Sequence, residues 1–226
     1  MSSSIEVLRV LMEGVKTTLS LLIISAIFAY CIALVAGLGR IARVRVIRYV
    51  ANVYVEFFRG TSLVVQLFWI YYALPVLSQM IPFIPTLNLS SFWAGVIAIS
   101  LNYGAYASET VRSSILSVGK GQHEAAIALN MTRFQRMRYV ILPQAIRMML
   151  PDFGNNLIQM LKSTSLASLI GLADITYVGM IFRNTHIDLG MTVFAMMLVL
   201  YFLLAIPLIW LTRWAERVAS RGVVSE

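Results

Sequence analysis

The stretch KGQHEAAIALNMTRFQRMRYVILP, residues 120–143, is short and basic and stands between two apolar segments. Lys120–Met131 is predicted to form one helix, because Glu, Ala and Leu favour helices. Asn130 falls near its end, and Asn readily takes the left-handed conformation that follows many helices. Thr132-Arg133-Phe134-Gln135 has the form of a capping box and predicts the start of a second helix. Because Pro143 is predicted to end that helix, the stretch is predicted to form two short helices at an angle.

The segments around this stretch are too apolar for a soluble domain. The chain of 226 residues is 59% hydrophobic, 12% charged and has a mean hydropathy of +0.81. About 20 apolar residues in a helix cross the hydrocarbon core of a bilayer. We therefore predict an all-α integral membrane protein, a single domain over residues 1–226, with five transmembrane helices. The predicted spans are Leu19–Leu38, Thr61–Gln79, Phe92–Ser108, Phe153–Ala173 and Leu189–Thr212.

The basic residues predict how these spans are oriented. Loops 39–60 and 112–151 and the C-terminal tail carry most of the arginines, whereas 78–91 has no basic residue and 174–190 has only Arg183. Because short loops rich in Lys and Arg stay in the cytoplasm, the N-terminus is predicted outside and the C-terminus in the cytosol. The net charge of +8 indicates this topology together with contact to anionic lipid or to an acidic partner. It does not indicate nucleic-acid binding, since the charges are divided among loops separated by membrane spans.

Two further sequence features concern the N-terminus and the single cysteine. Residues 1–18 place apolar side chains at helical spacing against charged ones, which predicts an interfacial helix before the first span. Cys31 is the one cysteine of the chain, and the two histidines, His123 and His186, are far apart. No metal site is therefore predicted within one chain.

Polar residues line one face of two predicted spans. Asn102, Tyr106 and Glu109 have i, i+4, i+7 spacing in the third span, and Asn155, Gln159 and Lys162 repeat that spacing in the fourth. Polar groups in hydrocarbon are unfavourable, so such faces are expected to point into a bundle or an aqueous cavity. Gln66 in the second span is a candidate to join them.

Lys162 has two possible roles. Its ammonium is a candidate to attract a carboxylate of a transported solute, with Thr164 and Ser165 supplying hydrogen bonds nearby. Alternatively Lys162 is structural and bridges to Glu109 or to a carbonyl of a neighbouring helix. Glu109 in turn is predicted to pair with Arg112 at i, i+3, with a role in the solute pathway as the alternative.

The stretch 120–143 resembles a known family motif. Gly121, Glu124-Ala125-Ala126, Asn130 and Val140-Ile141-Leu142-Pro143 match the "EAA loop" of permease subunits of bacterial ABC importers. Asn130 stands where that motif usually has Gly, and Val140 where it has Ile. The first difference is conservative if the position needs a positive φ, which Asn tolerates.

The resemblance covers roughly residues 13–217. The chain is similar to the polar amino-acid branch of these permeases, whose members transport histidine, glutamine, arginine, opines or ectoine-like solutes. The segments that carry it are Glu13–Leu19, Glu56–Ser62, Asn102–Tyr106 with Glu109, Leu142–Ala145 and Leu161–Leu166.

The resemblance implies a type I ABC-importer permease core in the bacterial inner membrane. It implies a second permease chain, identical or similar, a dimer of cytosolic ABC ATPases and an extracytoplasmic solute-binding protein. Mg-ATP is bound by the ATPase partner and no cofactor by this chain, which lacks a phosphate-binding loop and is expected not to be an enzyme. The ATPase-coupling residues implied are Gly121, Glu124, Ala125, Ala126, Asn130, Leu142 and Pro143.

Two other classes of function remain as alternatives. A secondary carrier or channel would move small polar solutes without ATP, although such carriers often show two internal repeats that are not evident here. An intramembrane enzyme would need a catalytic motif, and neither His-Glu-x-x-His nor Gly-x-Ser-x-Gly occurs. The sequence leaves the solute itself open.

Overall fold

The computed structural model describes residues 2–80 and 88–220, and this part of the chain contains helices and no β-strand. Part of the predicted outer loop 78–91 and the basic residue Arg221 of the tail lie outside the described residues. Four short helical turns join the longer helices of the described residues: two of π type, at Trp69–Ala73 and Met137–Ile141, and two of 3₁₀ type, at Ser165–Ile170 and Ile187–Leu189. The α-helices are α1 Ser2–Arg40, α2 Arg45–Gly60, α3 Leu63–Phe68, α4 Leu74–Met80, α5 Ser91–Ser117, α6 Lys120–Ala128, α7 Arg133–Arg136, α8 Leu142–Thr164, α9 Ile175–Thr185 and α10 Gly190–Ser220.

The N-terminal helix α1 is continuous over 39 residues, or about 58 Å at 1.5 Å per residue. The segment 1–18, predicted to be an interfacial helix, is thus continuous with the first predicted span. Val7 and Leu11 are buried in a cluster with Ile175 of α9 and Val193 of α10. The apolar face of this segment packs on two neighbouring helices, and this packing extends the first span instead of leaving it alone on a lipid surface.

Most of the predicted loop 39–60 is helix α2. Its sequence is strongly amphipathic: Val46, Val50 and Phe57 are exposed apolar residues, and arginines occupy the other side. The predicted second span corresponds to α3, the π-turn Trp69–Ala73 and α4, which together run from Leu63 to Met80. The helix is interrupted between α2 and α3 at Thr61 and Ser62, whose backbone is extended.

By length and composition, three helical segments of the described residues are able to cross a membrane. They are Ile5–Arg40, Leu63–Met80 and Ile187–Val218, and a fourth is obtained if Arg133–Ile170 and Ile175–Thr185, bent by 51°, count as one span. The remaining predicted span, Phe92–Ser108, lies in α5, which is long enough at 27 residues but contains polar and charged side chains. The five-span count and the orientation of the termini stay predictions.

Helix α5 occupies the centre of the bundle. Its small residues pack against α1 and α8, and Gly104 approaches Ile32 of α1 so closely that an added Cβ would meet that side chain at 2.9 Å. Along α5 most side chains from Ala94 to Ile115 are buried. Because α5 faces protein rather than lipid on most sides, it need not be as apolar as the outer helices.

Pro143 does not end the second helix of the 120–143 stretch. Helix α7 continues through a π-turn, Met137–Ile141, directly into α8, which begins before the predicted start of the fourth span. Pro143 lies in the first turn of α8, where a missing N–H is tolerated. The π-turn shifts the hydrogen bonds at this point, so that the Leu142 N–H donates to the Met137 carbonyl.

The segment between α8 and α9 is fastened to α1 by backbone contact and a buried hydroxyl. Thr18 Oγ donates to the Gly14 carbonyl at 3.0 Å and accepts from the Ile175 N–H at 3.2 Å. The buried Asp174 caps α9 by accepting from the Tyr177 N–H at 2.9 Å, and it also accepts from the Tyr201 hydroxyl of α10 at 3.2 Å. These contacts tie three helices together at one end of the bundle.

Replacing Gly14 by Val is expected to destabilise the protein, because a Cβ at this position would meet the backbone of Asp174 and Ile175 at 2.5–2.7 Å. Overpacking of this kind typically lowers the free energy of unfolding by about 1–3 kcal/mol. The measurement is the apparent melting temperature of the purified protein in detergent. Gly119→Ala is the control, since nothing lies within 4 Å of an added Cβ there. Equal melting temperatures for the two variants would contradict the prediction.

Candidate functional site

A polar cavity of 720 Å³ opens between α5, α8 and the junction of α2 with α3. Helix α5 presents to it the polar face that the i, i+4, i+7 spacing predicts, and helix α8 presents Asn155 and Gln159 of its predicted face but not Lys162. The break at Thr61 and Ser62 adds hydroxyl groups to the wall. The lining residues are Arg59, Thr61, Ser62, Leu63, Asn102, Tyr103, Tyr106, Glu109, Thr110, Asp152, Asn155, Asn156, Gln159, Ser163 and Leu166.

Four of the sequence-predicted pathway residues line this cavity: Asn102, Tyr106, Glu109 and Gln159. Gln66 lies behind the wall and is buried. The other three, Lys162, Thr164 and Ser165, are not among the lining residues. The two helices thus meet as predicted, but the end of α8 turns Lys162 and Thr164 away from the cavity while Ser163 faces it.

Gln66 and Asn102 close the break between α2 and α3. The carbonyl oxygen of Phe58, near the end of α2, accepts hydrogen bonds from the Gln66 amide at 3.0 Å and the Asn102 amide at 3.1 Å. Asn102 Nδ2 also donates to Gln66 Oε1 at 3.1 Å, and Gln66 Nε2 donates to Thr61 Oγ at 2.7 Å. Carbonyls at a helix end need partners, and here two buried side-chain amides provide them.

Glu109 is surrounded by arginines from three helices. Arg112 of α5 binds it through Nη2 at 2.6 Å and Nε at 3.1 Å, Arg40 of α1 binds it through Nη1, and Arg59 of α2 lies at 3.8 Å. The predicted i, i+3 ion pair with Arg112 is confirmed. Arg40 also donates to Asn52 Oδ1 of α2 at 2.9 Å, so the cluster joins α1, α2 and α5.

The predicted alternative bridge from Lys162 to Glu109 is absent. Lys162 is exposed, and no ion pair is found for it within the described part of the chain. Thr164 is buried and donates to the Leu161 carbonyl at 2.7 Å, and Ser165 donates to the Lys162 carbonyl at 2.7 Å. These hydroxyls bond to their own helix because Ser and Thr reach the backbone of the preceding turn.

Several lining residues were missed by reasoning from the sequence, among them Arg59, Tyr103, Asp152 and Ser163. Tyr103 Oη and Ser163 Oγ are hydrogen-bonded at 2.6 Å, and Thr110 Oγ donates to Asp152 at 3.4 Å, so both pairs join α5 to α8. A prediction of Arg59 was within reach, since it lies in the quoted segment Glu56–Ser62. The Tyr103–Ser163 pair depends on how two distant helices pack, and no local pattern indicates it.

The stretch 120–143 folds as two helices joined at Asn130. Asn130 has φ = 52°, the left-handed conformation expected of it. Its N–H donates to the Ile127 carbonyl at 2.9 Å and the Met131 N–H donates to the Ala126 carbonyl at 3.1 Å, which is the Schellman pattern. The predicted capping box is confirmed: Thr132 and Gln135 each bond the backbone of the other.

Helices α6 and α7 form a knob, and the predicted ATPase-coupling residues on it differ in their exposure. Gly121, Glu124 and Ala125 are exposed, whereas Ala126 is buried. Gln144 of α8 donates to Gln122 Oε1 at 3.0 Å and so fastens α6 to the transmembrane part. Such a knob is typical of a protein-binding surface when large apolar side chains are exposed on it. Those exposed on the knob and the π-turn that follows it are Ile127, Leu129, Phe134 and Tyr139.

Residues 29–221 match a protein family described as the binding-protein-dependent transport system inner membrane component. The chain belongs to this family. Membership makes it a multi-pass inner-membrane component of a transport system rather than an enzyme. Within the described residues, no group of three or more His, Cys, Asp or Glu side chains is arranged to hold a metal ion.

Curated relatives cover most of the chain. It is 41% identical over 209 residues to a probable amino-acid ABC transporter permease of Sinorhizobium fredii, covering 92% of this chain and 87% of that protein. The glutamine transport system permease of Escherichia coli is 37% identical, with 92% and 91% covered. The L-cystine transport system permease TcyB of Bacillus subtilis is 45% identical over 166 residues, with 74% and 68% covered.

Solved structures confirm the ABC-permease fold. A crystal structure of an amino acid ABC transporter with histidines superposes with a TM-score of 0.85 at 33% identity, covering 95% of this chain and 96% of that one. An inward-facing methionine ABC transporter superposes with a TM-score of 0.74 at 20% identity, over 93% and 96%, and shares the fold. The type I permease core predicted from the sequence is thus present.

The Gln66–Asn102 contact is expected to appear as a coupling energy. Gln66→Ala and Asn102→Ala each leave the Phe58 carbonyl with one donor fewer, and each should lower stability by about 1–3 kcal/mol. The double variant should lose less than the sum by about 0.5–3 kcal/mol, because either single variant already breaks the direct hydrogen bond from Asn102 to Gln66 and the double variant loses it only once. Thermal unfolding in detergent of all four proteins measures this, and strict additivity would contradict it.

Asn130→Gly and Asn130→Val are expected to have different effects on the knob. Gly adopts φ = 52° freely, so the knob should stay folded, whereas a β-branched residue is strained there and should lower stability by about 1–3 kcal/mol. Proteolysis of the 120–143 stretch under native conditions reports the difference. Met131→Val is the control, because it places the same side chain at the neighbouring position, where φ is not positive. Equal cleavage of the two Asn130 variants would refute the backbone argument.

Proposed function

We propose that this protein is the permease subunit of an ATP-driven importer of polar amino acids or related small zwitterionic solutes. The observation that carries the proposal is the polar cavity between α5 and α8 in a chain whose outer helices are apolar. A space lined by amide, hydroxyl and charged groups suits a solute that hydrocarbon excludes. Relatives named for amino acids, glutamine and L-cystine support the same solute class.

Coupling to ATP is assigned to the knob of α6 and α7. Its exposed Glu124, Ile127, Leu129 and Phe134 form a surface for a cytosolic ABC ATPase dimer, which binds Mg-ATP. Gln144 and the π-turn connect the knob to α8, which lines the cavity. Movement of the ATPases would be passed to the cavity wall through this connection. The start of α8, Leu142-Pro143, belongs to the same path.

The proposed assembly contains two permease chains, identical or similar, with an extracytoplasmic solute-binding protein on the outer side. With the five spans, external N-terminus and cytosolic C-terminus that the sequence predicts, the basic knob would lie next to the ATPases. The importer would alternate between two conformations, and the solute needs only weak affinity for the cavity because the binding protein delivers it. The family description, which names binding-protein-dependent transport, supports this arrangement.

The test is ATP hydrolysis by the permease reconstituted in liposomes with its ATPase and binding protein. Cationic, neutral and acidic amino acids and ectoine form the panel. Stimulation of hydrolysis together with solute uptake supports the proposal and identifies the cargo. If no ATPase associates while the permease alone still carries the solute, the function is that of a secondary carrier.

Glu124→Lys is expected to abolish ATP-dependent uptake and to reduce ATPase association more than tenfold. The residue is exposed on α6, so the variant should fold and insert normally. Bringing two like charges together at a protein interface weakens the free energy of association by several kcal/mol. Co-purification of the ATPase and uptake into liposomes are the measurements. Glu6→Lys, an exposed position at the far end of α1, is the matched control and should behave as wild type.

A further inference from the structure

The arginine cluster around Glu109 has more positive charge than its partner neutralises. Arg40, Arg59 and Arg112 surround a single carboxylate, and the other acidic residue of the cavity wall, Asp152, forms no ion pair with them. The cluster therefore carries a net charge of about +2, since arginine stays protonated. An anion placed beside it would be stabilised.

Arg59 is the member of the cluster that is best able to bind such an anion. Arg40 and Arg112 hold Glu109 through hydrogen bonds, whereas Arg59 Nη1 lies 3.8 Å away, beyond hydrogen-bond distance. Arg59 is also the most exposed of the three, at 41% of its side chain against 12% for Arg40 and 35% for Arg112. Glu109 thus keeps two direct partners when Arg59 turns away.

The position of Arg59 directs it toward the cavity. Among the described residues that line the cavity, Arg59 is the one with a cationic side chain, and its guanidinium carbon lies 5.4 Å from the centre of the Tyr106 ring. The Tyr106 hydroxyl donates to the Arg59 carbonyl at 3.3 Å, which holds the end of α2 against α5. Contact with an aromatic face keeps a guanidinium in place without using its N–H donors.

We propose that Arg59 binds the carboxylate of the transported amino acid and gives up its 3.8 Å contact with Glu109 to do so. The proposal rests on the proposed function and names the group that recognises the cargo in the cavity. A guanidinium forms two parallel hydrogen bonds to a carboxylate, so the contact selects solutes that have one. Lys162, the sequence-predicted candidate for this role, is exposed and does not line the cavity.

The same cavity offers a partner for the ammonium of an amino acid. Asp152 lines it and accepts from Thr110, and no Lys or Arg of the described residues lies within 4.0 Å of its carboxylate. When the carboxylate of an amino acid is bound by Arg59, the carboxylate of Asp152 is therefore available in the same cavity for the ammonium. The pairing favours zwitterionic and cationic amino acids over acidic ones.

The experiment compares Arg59→Gln with Arg48→Gln in the purified permease–ATPase complex without binding protein. Arg48 is exposed on α2, eleven residues and close to three full turns before Arg59, so the control removes the same charge from the same side of the helix outside the cavity. The probes are radiolabelled glutamine and arginine, with 4-aminobutanamide and agmatine as their counterparts lacking the carboxylate. Equilibrium binding gives a dissociation constant for each.

Arg59→Gln is expected to weaken binding of the amino acids about tenfold or more and to leave binding of the amines unchanged, since a charged hydrogen bond is lost only with the former. Arg48→Gln should change neither. Wild-type binding that does not distinguish amino acid from amine overturns the proposal, as does no amino-acid binding at all. Loss in Lys162→Gln but not in Arg59→Gln also overturns it.

Two readouts separate this proposal from the proposed function. Basal ATP hydrolysis reports whether each complex has assembled, and its absence in the wild type counts against the proposed function. Normal hydrolysis with unaltered binding in Arg59→Gln counts against the role of Arg59 alone. If Arg59→Gln does not assemble, Arg59→Lys decides, because it keeps the charge and removes the paired donors: amino-acid binding should weaken at least about threefold while amine binding stays unchanged.

Discussion

The polar side chains of α5 must each find a partner or an aqueous space, because the hydrocarbon of a membrane offers neither. Asn102 meets this requirement by bonding Gln66 and the Phe58 carbonyl, Glu109 by binding arginines, and Tyr103 by bonding Ser163. The contacts of Asn102, Tyr103 and Glu109 with Phe58, Ser163 and Arg40 join α5 to α2, α8 and α1, respectively. The central helix thus organises the bundle through its polar groups, while its small residues allow close packing.

This requirement also explains why the cavity is polar. A helix with one polar face can hydrogen-bond some of its polar groups to neighbouring helices, and its other polar groups must face water. The break between α2 and α3 provides both kinds of partner. Gln66 hydrogen-bonds to it from behind the cavity wall, and Thr61 and Ser62 line the cavity. The ends of broken helices carry unpaired backbone groups, so a break beside a polar cavity is stable where a break facing lipid is not.

Local patterns predicted the knob of α6 and α7 in detail. The left-handed Asn130 and the Thr132–Gln135 capping box are set by residues within a few positions of each other, and both are present. Pro143 was misread because its effect depends on its place in a helix, and the π-turn before it brings it into a first turn. The continuous α1 was missed for a similar reason, since its N-terminal part is held by packing against α9 and α10.

The sequence by itself determined the all-helical membrane character, the family, and the polar faces of α5 and α8, because periodicity and short motifs are properties of neighbouring residues. Only the tertiary structure decided which polar residues share a cavity. It brings Arg59 and Asp152 to the wall, sets Gln66 behind it and leaves Lys162 outside. That division depends on how helices far apart in the chain rotate and pack against one another, which no single helix specifies.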